Sequence, residues 1–268
     1  MDITSTTKAS KIKISSLTYQ FDLIWHLVKR DFILQYKRSI LGVLWSLLLP
    51  LAQFLVLIFI FEKVIPLNIE AYPVFLFSAL LPWNWFSNCL GSAGGIFLNN
   101  RNLLLRPNFE PSILLIVNIL SNLILFLVSL PILFVIMSFL GKSVSVNLIY
   151  LPILISIQGL LIFGLGLIIA SFNVLYTDVQ HIVNVGLMIL FFITPVFYGI
   201  YDIGEGYQHV YSLNPLAPLI QNYRLILFSG SPPDWTSVLF TGIVSLIACM
   251  VGLAIYNRKI HDVIDTMH

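Results

Sequence analysis

Five histidines, two cysteines, twelve Asp and Glu and fourteen Lys and Arg are the groups in this 268-residue chain that could carry covalent, metal or acid–base chemistry. Their spacing assembles none of it. No GxxxxGK[ST] cradle is present to hold nucleotide phosphates, and no HExxH pair is present to hold zinc. The histidines are isolated and share no metal-site spacing with Cys89 and Cys249. The many serines do not, by sequence alone, compose a Ser-His-Asp arrangement. Glu62, Glu110, Asp178 and Asp202 sit at the borders of apolar stretches, whereas an ion-coupled carrier often holds a carboxylate within the membrane. No catalytic residue and no metal ligand is assigned, and coupling to an external motor is the more attractive expectation.

The elements that position these groups follow from composition. Apolar residues make up 58% of the chain, charged residues only 10%, and mean hydropathy is +0.94. A globule of this size with so little charge cannot clothe itself in water, so lipid must solvate most of its surface. The net charge of +2 and the clustering of seven basic residues in the first 38 suit membrane topology better than a nucleic-acid footprint. Both cysteines lie in apolar runs, which argues against a disulfide framework. The polar first 20 residues lack the apolar core of a secretory signal, so the amino terminus is expected to be retained.

Stretches free of charge predict six spans, near 39–61, 72–98, 112–140, 149–175, 180–200 and 236–257. With both termini cytoplasmic, eleven basic residues lie inside and three, Lys63, Lys142 and Arg224, lie outside, as the positive-inside rule requires. Pro82 and Pro131 fall within spans and predict local kinks. Gly91 with Gly95, and Gly159, Gly164 and Gly166, permit close helix contact.

Three segments fit no simple span. Phe21, Trp25, Val28 and Phe32 recur at helical spacing among charged neighbours, predicting an amphipathic helix along the cytoplasmic interface. Residues 99–111, NNRNLLLRPNFEP, predict a short helix and turn that a soluble partner could grip, or an ordinary cytoplasmic turn. Residues 201–235, a polar-containing interruption, are too short for a transmembrane pair but could hold interfacial or re-entrant helices, and Leu216, Leu219, Ile220, Tyr223 and Leu227 share one helical face. An outer cap or vestibule is expected there.

The run QYKRSILGVLWSLLLP at 35–50 resembles the start of the membrane subunit of bacterial polysaccharide ABC exporters, the ABC-2-type permeases for O-antigen, capsule or teichoic acid. RNLLLRPNFEP, VLYTDVQHIV at 174–183, FFITPVFY at 191–198 and NPLAPLIQNYR at 214–224 extend the resemblance in order along nearly the whole chain. It implies an all-α membrane protein with six transmembrane helices, an amino-terminal amphipathic interfacial helix, and short re-entrant helices before the last span. It further implies a homodimer in the bacterial inner membrane, bound to two cytoplasmic ABC ATPase subunits. Those partners would supply the ATP and Mg²⁺ site, this chain holding no cofactor. The organisation expected is a cytoplasmic segment at 1–38, a transmembrane domain at 39–257 and a cytoplasmic tail at 258–268. One departure is Thr177, where relatives often place a basic residue before the aspartate. Asp178 is read as capping the next helix.

The implied substrate is an undecaprenyl-diphosphate-linked polysaccharide, and its parts make different demands. Arg101, Asn102, Leu103, Leu104, Leu105 and Arg106 would take up movement of the ATPase. Arg30, Lys37 and Arg38 would meet the pyrophosphate at the cytoplasmic leaflet, or simply anchor the chain. Trp45, Phe54, Phe59, Trp83, Trp85, Phe86, Tyr198 and Tyr201 are candidate platforms for sugar faces, or helix-packing and interfacial aromatics. Alternatives to polymer export are an ABC-2-type permease for a drug or small lipid, and a non-transporting membrane scaffold.

Overall fold

The computed structural model describes residues 20–34, 42, 44–107, 109–199 and 214–266, with side chains to residue 260. Lys37, Arg38, Tyr201 and the first part of the expected outer cap, 201–213, lie outside the described residues. Every regular element among the described residues is helical. In chain order they are α1 (20–34), α2 (Leu44–Ile58, continued by a π turn Phe59–Val64), α3 (Tyr72–Ala93), α4 (Gly95–Asn99) and α5 (Arg101–Leu104). There follow α6 (Ser112–Phe139), α7 (Leu151–Leu175, entered through a 3₁₀ turn Val146–Tyr150), α8 (Asp178–Ile193), α9 (Leu216–Leu227) and α10 (Trp235–Thr266).

Leu44–Val64, Ser112–Phe139, Val146–Leu175 and Trp235–Ile260 are long and apolar enough to cross a bilayer. The two other stretches expected to span depart from that standard for separate reasons. Thr194 turns extended ahead of Pro195, so α8 stops after 16 residues instead of reaching position 200. The 22-residue α3 has the length, but Asn84, Ser87, Asn88 and Ser92 dilute its apolar character. Protein rather than lipid surrounds it: sixteen of its residues are buried, making it the axis of the bundle. α2 buries only Phe54, and α8 buries no side chain. The helical path continues through Pro50, Pro82 and Pro131 without a break. α10 runs on to Thr266, so the expected tail begins as a continuation of the last helix.

Close backbone contact joins α7 to α10. A Cβ added at Gly164 would stand 2.5 Å from the carbonyl of Ala248 and the nitrogen of Cys249, and one added at Gly252 would collide with the Gly164 backbone. Small residues let membrane helices approach until dispersion between backbones holds them. Gly94, rather than Gly91 or Gly95, is the tight point on the α3 side, facing Gln180 and Asn173. α6 ends at Gly141 with φ +69°, where Lys142 N donates to Met137 O and Gly141 N to Ser138 O. This left-handed residue satisfies the last helical carbonyls and turns the chain back.

α9 is buried on nearly all sides, and it carries a buried cation. Arg224 is 2% exposed; its guanidinium donates to Val196 O at 2.6 Å, Tyr198 O at 3.2 Å and Phe75 O at 3.4 Å, and lies 3.7 Å over the Phe75 ring. Three chain segments are thereby pinned at the end of the bundle opposite α5.

Candidate functional site

A cavity of about 810 Å³ opens between α1, α2, α3 and α6. Three helices present stripes of identical spacing to it. α2 offers Ser46, Leu49, Pro50 and Gln53; α3 offers Asn84, Ser87, Asn88, Gly91 and Ser92; α6 offers Asn118, Ser121, Asn122 and Leu125. Positions i, i+3, i+4 and i+7 fall on one helical face, so each stripe looks inward: α3 and α6 mainly as amides and hydroxyls, α2 as Ser46 and Gln53 on either side of Leu49 and Pro50. Asp31 stands where α1 meets the cavity.

Part of this polar surface is used up within the protein. Ser92 Oγ donates to Asn118 Oδ1 at 3.1 Å, Asn118 Nδ2 to Cys89 O at 3.0 Å, and Asn122 Nδ2 to Asn118 O at 2.9 Å. Other groups remain: Asn84 Nδ2 and Ser121 Oγ are buried and meet no hydrogen-bond partner among the described residues. Among the described residues Asp31 is the one ionisable group in the lining, and the amides and hydroxyls there can both donate and accept hydrogen bonds. Sequence reasoning searched the spans for charge and missed these residues. Ser and Asn recurring at i, i+3 and i+4 in two apolar runs, at 84, 87 and 88 and at 118, 121 and 122, with Ser46 and Gln53 seven apart in a third, were the signal that could have found them.

The segment 101–106 divides in two. Leu104 is buried, and Leu103 is partly so, in a cluster with Phe97, Leu115, Leu167 and Tyr256. Arg101, Asn102, Leu105 and Arg106 are exposed. The inward leucines thus seat the knob against the ends of α3, α6, α7 and α10, while the polar side chains look away. Tyr256 Oη donates to Glu110 Oε1 at 2.6 Å, tying α10 to the same loop.

The family's sequence profile, that of the ABC-2 type transporter, matches residues 22–228. The chain belongs to the ABC-2 type transporter family. An O-antigen export system permease protein, RfbA, of Myxococcus xanthus is 31% identical over 251 residues, covering 92% of this chain and 96% of the relative. Its namesake in Klebsiella pneumoniae is 30% identical over 246 residues, covering 91% and 94%. The polysialic acid transport protein KpsM of Escherichia coli is 24% identical over 233 residues, covering 86% and 90%. The family match spans the polar cavity and the 101–106 knob together.

Other expected site residues in this ABC-2 chain are dispersed. Arg30 Nη2 donates to Asp31 Oδ1 at 2.9 Å and to Asn100 Oδ1 at 2.8 Å, fastening α1 to the residue that precedes α5. α1 also packs Leu27 and Val28 on Ile113 and Val117, while Phe21 and Trp25, on the same face as Val28 but in the preceding turns, stay exposed. Phe54, Trp83, Trp85 and Phe86 are each no more than 5% exposed. Phe54 packs on Phe77 at 4.6 Å, Trp83 on Phe191 at 5.5 Å and Trp85 on Phe126 at 5.8 Å. Helix packing is the role this geometry gives them, since a sugar ring needs an open face to stack on. Trp45 and Phe59 are exposed, and Tyr198 is half-buried with its hydroxyl donating to Phe192 O and Ile193 O.

Asp178 occupies the first turn of α8 and makes no capping bond; Thr177 at the cap position makes none either. Asn173 does that work from the last turn of α7, accepting from Gln180 N at 2.9 Å and donating to Gly94 O at 2.9 Å. The carboxylate of Asp178 still complements the helix dipole. Removing the Arg30 guanidinium with Arg30→Ala should speed amide exchange in residues 20–34 about tenfold, the loss of one charged hydrogen bond to Asn100, and leave 72–93 unchanged. Unaltered exchange would assign the hold to Leu27 and Val28 alone.

Proposed function

We propose that the chain is the membrane-spanning subunit of an ATP-driven exporter moving an undecaprenyl-diphosphate-linked polysaccharide outward across the bacterial inner membrane. The observation that carries this reading is the set of neutral amides and hydroxyls on three helices around one cavity, in a chain whose relatives include permeases named for O-antigen export. A sliding polymer exchanges many weak hydrogen bonds in turn, which such a surface allows without one tight, charged pocket.

Two copies of the chain would form the conduit, with α2 and α8 supplying the contact because neither finds cover within one protomer. Six crossings are reached by adding α3 and α8 to the four apolar helices, with α9 re-entering from the outside and both termini cytoplasmic. Two ABC ATPase subunits, holding ATP and Mg²⁺, would engage Arg101, Asn102, Leu105 and Arg106. Their movement would reach α3, α7 and α10 through Leu103 and Leu104. Arg30, with Lys37 and Arg38, would stand near the pyrophosphate.

The test is transport of a defined lipid-linked polysaccharide into proteoliposomes containing this chain and its ATPase. Changing Asn84, Asn88 and Asn122 together to leucine keeps the helices compatible with lipid and removes the polar lining. Transport should fall at least about tenfold while assembly and basal ATP turnover persist. Undiminished transport by the triple variant would remove the cavity from the path.

A further inference from the structure

From the lining of the cavity we infer a specificity: it passes polysaccharides whose repeating sugars are uncharged and resists those bearing carboxylates or phosphates along the polymer. This rests on the export reading above and adds a substrate class to it. Among the described residues the cavity lining contains no Lys, Arg or His, and its one ionisable group is Asp31. That carboxylate already receives the Arg30 guanidinium at 2.9 Å, and the same guanidinium is bound to Asn100. The acid–base pair therefore balances at the edge, and the described interior presents neutral amides and hydroxyls beside Leu49, Pro50 and Leu125.

A hydroxyl and a side-chain amide suit one another because each both donates and accepts. Asn84 Nδ2 and Ser121 Oγ, buried without a protein partner, offer donors of that kind. A sugar hydroxyl that leaves water for such a lining trades one hydrogen bond for another. An anionic repeat makes a poorer exchange: it gives up the hydration of a full charge and meets no cation among the described residues of the lining. The penalty recurs with every charged repeat that passes, so it acts on the rate of movement and not only on the first contact. The diphosphate at the lipid end lies outside this rule, because it stays at the headgroup level where basic residues cluster.

The experiment uses the full chain with its ATPase in proteoliposomes and two lipid-linked polymers of equal length on the same carrier. One is built of galactose alone, and the other carries a uronic acid in each repeat. Initial ATP-dependent rates should favour the galactose polymer by about tenfold or more, and the preference should persist in 0.5 M salt, where long-range surface electrostatics are screened to about 4 Å. Asn88→Lys, which places a cation in the lining, should shift the rate ratio toward the acidic polymer by about threefold or more. Equal rates, or faster movement of the acidic polymer, would overturn the specificity and leave polysaccharide export standing. A preference abolished by salt, or a ratio unmoved by Asn88→Lys in a variant that still transports, would take discrimination away from the cavity. If neither polymer moves despite intact assembly and ATP turnover, the export reading falls and this inference falls with it.

Discussion

Arg224→Met should lower the unfolding free energy of the protein in detergent by about 3–5 kcal/mol, the range for stranding several buried partners of one charge. Methionine fills most of the same volume, so the loss comes from hydrogen bonding rather than from a cavity. Three carbonyls, of Phe75, Val196 and Tyr198, would give up charge-assisted donors, and the Phe75 ring would lose the cation above it. Arg224→Lys keeps the charge but not the fork, and should fall between the two. Thermal unfolding followed by tryptophan fluorescence checks the order. A methionine variant as stable as the parent would mean that these carbonyls find other donors at no cost.

Gly252→Leu should leave no folded, monodisperse protein after extraction, because its side chain would have to occupy the space of the Gly164 backbone on α7. A backbone cannot rotate aside as a flexible side chain can, so the two longest-packed helices must separate. Gly164→Ala, facing the Ala248 carbonyl at 2.5 Å, should already cost about 1–3 kcal/mol. Gly242→Ala supplies the control on the same helix: its added methyl meets only Ile157 at 3.9 Å and should be neutral or slightly stabilising through helix propensity. Fluorescence-detected size exclusion separates these outcomes. Equal profiles for the Gly252 and Gly242 variants would show that α7 and α10 can part without harm.

The helices were legible because lipid demands long apolar runs, and charge marks where those runs stop. α1, the 101–106 knob and α9 were legible for the converse reason: each breaks the run pattern yet keeps a helical face. Direction was harder to read. Phe54, Trp83, Trp85 and Phe86 have the composition of sugar platforms, and only packing reveals that their faces are covered. Arg224 reads as an outward loop cation until Phe75, 149 positions earlier in the chain, is brought beside it. The cavity needed a comparison among helices far apart in sequence, since Asn84, Asn122 and Gln53 are unremarkable one at a time. Asn173 shows the same limit, its capping target lying on the next helix rather than its own.

The helix that carries the core is also the one least suited to leave a translocon unaided. α3 gains less from hydrocarbon than its neighbours do, because the stripe from Asn84 to Ser92 must shed water before the bundle can replace it. α2 and α6 hold the complementary stripes, so α3 is worth more to the membrane in their company than alone. Insertion is therefore expected to be cooperative at its centre: α2 is made first, α3 would enter more readily beside its Ser46 and Gln53, and α6 would add the facing polar wall of the cavity.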